Sequence, residues 1–261
     1  MAKLKHFGIL KIKHFVLFVT ILGFNSCKED ARTLHRITAE RIAVDHMHEE
    51  SQAVKDFIKP YHDRVNQMLD STLAYAPAEI SKMDGRYNSS AGNLMADIML
   101  LEANPIFQER TGKSIDFALM NHGGIRAAIS KGNVSARTAY EVMPFENNIS
   151  VVELDGKAVL QMIGYIIKSK RAHALSGIQV VLNRDESIKT IKIQGQPFDV
   201  DQHYFIATSD YLVSGGDDMV FFKNALTITD TDYKIRNAMI DYFSKVDTLA
   251  ATVDDRFYKK K

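Results

Sequence analysis

The stretch Met120-Asn121-His122-Gly123-Gly124-Ile125-Arg126 decides how the rest of the chain is read. It follows Ile115-Asp116-Phe117-Ala118-Leu119-Met120, a short apolar run of the kind that forms a buried strand. The run then breaks into two glycines and ends on an arginine. Paired glycines at a strand's end allow torsions closed to other residues and leave room for a close ligand. Asn121 brings both a donor and an acceptor to that point. Arg126 brings a fixed fork of donors suited to a phosphate or a sugar oxygen. A tight turn with a surface arginine is the plain alternative, so the decision falls on the surrounding sequence.

Upstream, Val54, Phe57, Ile58, Tyr61, Val65, Met68 and Leu69 follow helical spacing, with Pro60 expected to kink the helix or start a second one. Thr72 to Ile80 reads as a strand. In Gly85-Arg86-Tyr87-Asn88-Ser89-Ser90-Ala91-Gly92-Asn93-Leu94, Ser89 or Ser90 is a fitting N-cap. Ala91, Leu94, Met95, Ile98 and Met99 behind it form the buried stripe of an amphipathic helix. Arg86 beside a helix N-terminus favours an anion there, although a merely exposed arginine fits this stretch as well.

Downstream, Gly132-Asn133-Val134-Ser135 reads as a turn, with Ser135 capping a short helix that Pro144 stops. Phe145 then sits in a polar loop before Asn147 and Asn148, an awkward place for a core residue. Ile149–Leu154 reads as a strand, and Asp155 caps a helix from Gly156 to about Lys170. Ile178–Leu182 and Ile188–Ile193 form a hairpin pattern, and Tyr204–Thr208 another strand. The last helix runs from about Lys234 to Val246. Interleaved strands and helices of this kind predict an α+β domain, a mixed sheet covered by helices.

The chain has 261 residues, 46% hydrophobic and 25% charged, and a formal net charge of +1. That is ordinary globular composition, with no electrostatic case for a nucleic-acid partner. Lys3, Lys5, Lys11 and Lys13 precede an apolar run from Phe15 to Phe24, which is too short to span a bilayer and reads as an export signal. It ends at Phe24-Asn25-Ser26-Cys27. Cys27 is the single cysteine, so no intramolecular disulfide can form. The segment resembles a bacterial lipoprotein signal, which implies lipidation of Cys27 and an address in the cell envelope, anchored to membrane. A cleaved soluble signal is the alternative. The expected organisation is a signal peptide over 1–26, a tether over 27–44 and a folded domain over 45–261. The histidines in Asp45-His46-Met47-His48-Glu49-Glu50 lie in a polar stretch with no strand pattern to align them, so a solvated segment is expected rather than a metal site.

Four motifs, taken in order, resemble the C-terminal, substrate-binding domain of the secreted 5′-nucleotidase and UDP-sugar hydrolase family. They are Arg86-x-Asn88-Ser89-x-x-Gly92-Asn93-Leu94, Asn121-x-Gly123-Gly124-Ile125-Arg126, Pro144-Phe145-x-Asn147 and Tyr211-Leu212-x-x-Gly215-Gly216-Asp217. The resemblance implies that Phe145 and Tyr211 sandwich a nucleobase and that Asp217 accepts the ribose hydroxyls. It implies that Arg86 and Arg126 hold the sugar–phosphate and that Asn121 and Asn147 meet the base or its surroundings. Gly215 and Gly216 would let their loop pass close under the ligand. Asn88 departs from a usual glutamate, His122 from a small residue, and Asp218 from a glycine.

Full enzymes of this family carry a metallophosphatase domain with Asp-x-His, Gly-Asn-His-Glu/Asp and Gly-His-x-His signatures; the last two do not occur here, and the one Asp-x-His, Asp201-Gln202-His203, stands alone just ahead of the Tyr204–Thr208 strand. The resemblance therefore implies no catalytic residue and no metal or other cofactor held by this chain. Divalent metals are expected on a metallophosphatase partner. The expected function is the nucleotide-recognition half of a 5′-nucleotidase system. The alternative is a stand-alone nucleotide- or nucleoside-binding lipoprotein without catalysis. A third reading, a diguanylate cyclase around Gly215-Gly216-Asp217-Asp218-Met219, fits poorly: that signature ends on Phe and works in the cytoplasm.

Overall fold

The computed structural model describes residues 12–20, 34, 36–43, 45 and 49–260. The chain divides into two compact units, Met1–Gln52 and Ala53–Lys261. In the first, residues 12–20 form a helix, α1, with all its residues exposed. The rest of the expected signal segment, Cys27 and the His46–His48 pair lie outside the described residues. Among the described residues, no helix is long and apolar enough to cross a membrane.

All but the first residue of α2 (Gln52–Asp70) belong to the second unit, and none of its residues is buried. The helix runs unbroken through Pro60, against expectation. The carbonyl that proline leaves without a donor belongs to an exposed turn, where water can serve it. Strand β1 (Thr72–Ala76) stops where Pro77 removes a backbone donor, so the expected strand to Ile80 is shorter; Ile80 keeps one isolated bridge to Ile129. Gly132–Ser135, expected as a turn, is instead strand β3, antiparallel to β1 with Ala76 opposite Gly132.

Helix α3 (Ser90–Thr111) begins on Ser89, whose Oγ accepts the Gly92 N–H at 3.1 Å, and ends at Gly112 in the left-handed region. Its first turns are buried on nearly every side. Gly92 lies against Ala174, where a Cβ would come 3.4 Å from the Ala174 Cα.

The central sheet is built from β2 (Phe117–Met120), β4 (Asn148–Asp155), β5 (Ala174–Ser176), β9 (His203–Ser209) and β10 (Thr227–Lys234), in the order β10-β4-β9-β2-β5. Strand β2 is buried on both faces, as its continuous apolar run predicts. Ala118 and Met120 join one core with α3 and α7 (Ile235–Lys245); Phe117 and Leu119 join a second. That second core holds α5 (Gly156–Ser169) and part of a four-stranded sheet: β6 (Ile178–Leu182), β7 (Ile188–Ile193), β8 (Gln196–Pro197) and β11 (Phe257–Lys259).

Register brings three segments to one edge of the central sheet. Strands β2 and β9 are parallel, with Ala118 opposite Ala207. Strand β4 is antiparallel to β9, with Ile149 opposite Ser209. The ends of β2 and β9 and the start of β4 therefore emerge together.

Candidate functional site

At that edge Asn121 follows β2 and is almost fully buried. Its Nδ2 donates to Asp217 Oδ2 at 2.7 Å. Its Oδ1 needs Gly124 to stay a glycine, because a Cβ there would come within 2.8 Å of it. The short helix α4 (Ala136–Val142) leads through Pro144 to Phe145. The one-turn helix α6 (Asp210–Val213), capped by Ser209 Oγ on the Leu212 N–H, carries Tyr211 just past β9. Phe145 is 41% exposed and Tyr211 45% exposed, and both face one cavity of about 280 Å³. Asn121, Arg126, Asn147 and Asp217 line it with them, over Met120, Met143 and Ser209.

Each wall has its own support. The Tyr211 hydroxyl donates to Asp217 Oδ1 at 3.1 Å. A Cβ on Gly216 would come within 2.4 Å of the Tyr211 ring, so the ring lies flat on glycine backbone. Asp217 and Asp218 both adopt left-handed torsions, which aspartate tolerates better than most side chains. The Tyr165 hydroxyl donates to the Asp217 carbonyl at 2.6 Å; burial first, then the two aspartates, make that phenol harder to ionise. Arg126 sits over the Phe145 ring, its Cζ 5.9 Å from the ring centroid, and its Nη1 donates to the Gly123 carbonyl at 3.3 Å. Lys82 Nζ donates to the Ile125 carbonyl at 2.6 Å. Burial, with Arg126 and Arg171 near, lowers the Lys82 pKa.

Behind Phe145, Glu146 is held by Lys234 and Arg236, which push its pKa down to about 2. Arg236 is buried, stacks on the Tyr140 ring at 4.1 Å and donates to the Phe145 carbonyl at 3.2 Å. Asp210 reaches across to the same loop. Its Oδ1 accepts the Asn147 Nδ2 at 2.8 Å and its own neighbour's N–H, that of Tyr211, at 2.7 Å; its Oδ2 accepts the Asn148 N–H at 3.1 Å.

A model of the "5'-nucleotidase, C-terminal domain" matches residues 73–224, more than half of the chain. The chain belongs to the 5′-nucleotidase C-terminal domain family. Among similar proteins, a cell wall protein of Listeria monocytogenes, Lmo0130, is 26% identical over 65% of this chain and 24% of its own length. Protein UshA of Escherichia coli is 22% identical over 94% of this chain and 43% of its own. The crystal structure of a 5′-nucleotidase precursor from Thermus thermophilus shares the fold at a TM-score of 0.66 and 24% identity, over 79% of this chain and 43% of that one. The chain thus spans less than half the length of these proteins.

Within this 5′-nucleotidase C-terminal domain, the four motifs do not all meet. Asn121, Arg126, Phe145, Asn147, Tyr211 and Asp217 share the cavity. Gly215 and Gly216 do not line it; Gly216 acts from beneath the Tyr211 ring, and Gly215 supplies a left-handed turn at φ 100°. Arg86 is also outside. It pairs with Glu186 at 3.0 Å and lies over the Tyr87 ring. The α3 N-terminus beside it, expected to attract an outside anion, already holds one. Asp84 accepts both the Ser90 N–H, at 3.0 Å, and the Ser90 hydroxyl.

The departures also have structural reasons. Asn88 is buried; it donates to the Asp254 and Phe257 carbonyls at 2.9 Å each and accepts from Asn93 at 2.8 Å. A carboxylate could not donate those bonds. His122 turns away from the cavity, its Nδ1 3.2 Å from the Ala172 carbonyl. Its N–H points at Nδ1 of His173, at 3.4 Å. His173 is buried, and burial with His122 nearby brings its pKa down to about 4.

The sequence reading missed Asp84, Asp210, Tyr165 and Arg236. For Asp210 the only local signal is its place at the start of a turn beside an aromatic. Nothing in the spacing shows that it reaches residues 147 and 148. Among the described residues, no three His, Cys, Asp or Glu side chains come together as a donor set for a metal ion.

Proposed function

We propose that this protein is the nucleotide-recognition half of a 5′-nucleotidase system. The observation that carries this reading is the cavity between Phe145 and Tyr211, two half-exposed rings with a fixed carboxylate at their side. A planar base enters between the rings, each stack contributing about 1–3 kcal/mol. Asp217, already oriented by Asn121 and the Tyr211 hydroxyl, keeps lone pairs for the two ribose hydroxyls. Arg126, with Lys82 close behind it, meets the phosphate at the mouth. Asn147 and Asn121 border the base. Arg86 takes no part in this cavity while it is paired with Glu186.

Hydrolysis belongs to a separate metallophosphatase chain. Its divalent metals would make hydroxide and take up charge on the leaving oxygen. The export signal and Cys27 support lipid anchoring in the bacterial envelope, where such a partner would meet it.

The test is titration of the purified protein with AMP and adenosine, read by calorimetry and by the Tyr211 ring signals. Saturable binding that Tyr211→Ala weakens supports the reading; no binding at millimolar nucleotide ends it. Phosphate release from AMP by this chain alone, with Mg²⁺, Mn²⁺ or Zn²⁺, would overturn the division of labour.

A further inference from the structure

A second cavity, of about 580 Å³, opens beside the first and shares Asp217 with it. Lys168, Arg171 and His173 line it, together with Tyr165, Ser169 and Asp218. His173 is buried and uncharged at neutral pH, with its Nε2 3.1 Å from Ser169 Oγ, so the positive charge here comes from Lys168 and Arg171. Lys168 stands in the last turn of α5, where the helix dipole alone accounts for a cation. Arg171 has no such reason. It follows Lys170, whose left-handed backbone (φ 53°) turns the chain out of the helix. The next two residues are held against the turn after β2. Ala172 offers its carbonyl to His122 Nδ1 at 3.2 Å, and His173 Nδ1 accepts the His122 N–H at 3.4 Å. Arg171 is thereby stationed beside the turn that ends on Arg126.

Lys82 joins them. It is half-buried and bonded to the Ile125 carbonyl, and the charges of Arg126 and Arg171 both fall on it. These three cations lack a counter-charge. Arg86, Arg110, Arg137, Arg236 and Arg256 each face a carboxylate. Among the described residues, no carboxylate pairs with Lys82, Arg126 or Arg171. Like charges gathered around a half-buried ammonium are unfavourable until an anion joins them. Such a group in a cleft marks a binding site. The acids of the second cavity do not supply that anion. Asp217 has both carboxylate oxygens on Asn121 and Tyr211, and Asp218 is exposed, where water and salt screen it.

We propose that Arg171 and Lys82 form a second phosphoryl subsite, and that the ligand of this domain is a nucleoside diphosphate rather than a monophosphate. This rests on the nucleotide reading of the first cavity and not on any partner chain. With the base between Phe145 and Tyr211 and the ribose on Asp217, Arg126 takes the first phosphoryl group. The second reaches Lys82 and Arg171 at the entrance of the second cavity. A guanidinium fork binds two phosphoryl oxygens at once, and an ammonium adds a point charge beside it. Arg171 is then the residue that reads phosphate number.

The experiment is calorimetric titration of the purified protein with adenosine, AMP and ADP, without divalent metal, for wild type, Arg171→Gln and Arg171→Lys. ADP should bind wild type about tenfold more tightly than AMP, the gain of one further charge-assisted contact. Arg171→Gln should remove that advantage and Arg171→Lys keep part of it, while adenosine affinity changes by less than about twofold. ADP binding no tighter than AMP binding overturns the proposal. So does an Arg171→Gln variant that keeps the ADP advantage, or one that weakens adenosine and ADP equally. Inorganic pyrophosphate, titrated alone at low salt, should bind wild type more tightly than Arg171→Gln; equal binding also overturns the proposal. Failure of both adenosine and AMP to bind is the failure of the nucleotide reading. Binding of both with no gain for ADP is the failure of the second subsite alone.

Discussion

Asp210 accepts a hydrogen bond from the Asn147 side chain at 2.8 Å, which joins the loop bearing Phe145 to the helix bearing Tyr211. The two rings come from segments more than sixty positions apart, and this carboxylate sets their separation. Asp210→Ala should lower adenosine affinity about tenfold, equivalent to about 1.4 kcal/mol, although Asp210 itself is not expected to touch the ligand. Asp210→Asn should lose less, since an amide oxygen still accepts one of the bonds. Calorimetric titration of both variants, with unchanged circular dichroism, checks this.

Each aromatic ring should carry its own share of binding. Phe145→Ala and Tyr211→Ala are each expected to weaken adenosine by about 1–3 kcal/mol, with little change in Tm because both rings are half exposed. Tyr211→Phe should keep the stack and lose only the bond to Asp217. Its affinity should therefore lie between wild type and Tyr211→Ala, as measured by the same titration.

The two neighbouring glycines should respond differently to a methyl group. Gly216→Ala forces Tyr211 off its seat, because the new Cβ would sit 2.4 Å from the ring. Nucleoside affinity should fall while Tm changes little. Gly215→Ala meets no atom within 4 Å but must hold φ at 100°. It should lower stability by about 1–3 kcal/mol and leave the ring in place. Paired melting and binding curves separate the two outcomes.

His173 should make the fold sensitive to mild acid. Its pKa is held down at about 4 in the folded chain, against 6.5 for a free histidine. Between those values the unfolded chain binds more protons, so stability is fully present above pH 6.5 and falls as pH drops towards 4. His173→Gln should flatten the Tm profile over that window. A wild-type Tm that does not fall between pH 7 and 4.5 would show that His173 is not buried neutral.

Asn88→Asp should cost more than a surface change. The new carboxylate would face the Asp254 and Phe257 carbonyls that the amide now donates to, replacing two hydrogen bonds, one of them buried, by repulsion between oxygens. A loss of roughly 2–4 kcal/mol is expected from two broken bonds of this kind, measured by urea unfolding.

Much of this architecture was legible in the residues. Periodicity and turn chemistry placed α3, α5, the β6–β7 hairpin and β9, because those segments satisfy local and tertiary demands with the same pattern. Pro60 misled, since an exposed helix can let water take a carbonyl that a buried one could not. Residues 132–135 misled because their partner strand lies some sixty positions upstream, and short polar strands have no period of their own. In the candidate site, the side chains that face the cavity were picked out by the four motifs that resemble the family; local pattern alone left a surface arginine and a stray loop aromatic as equal readings. The positions of Arg86, Asp84 and Asp210 were not legible, because each is decided by a partner on another element: Glu186, Ser90 and Asn147.

One consequence follows from the parallel pairing of β2 with β9 and the antiparallel return of β4. Because the cavity's walls hang from the same rim of the sheet, inserting or deleting a single residue inside any of these three strands would invert side chains on both faces at once. By the same logic, a change of length is better borne at the opposite rim, in the connections that leave Asp155 and enter His203, none of whose residues lines the cavity.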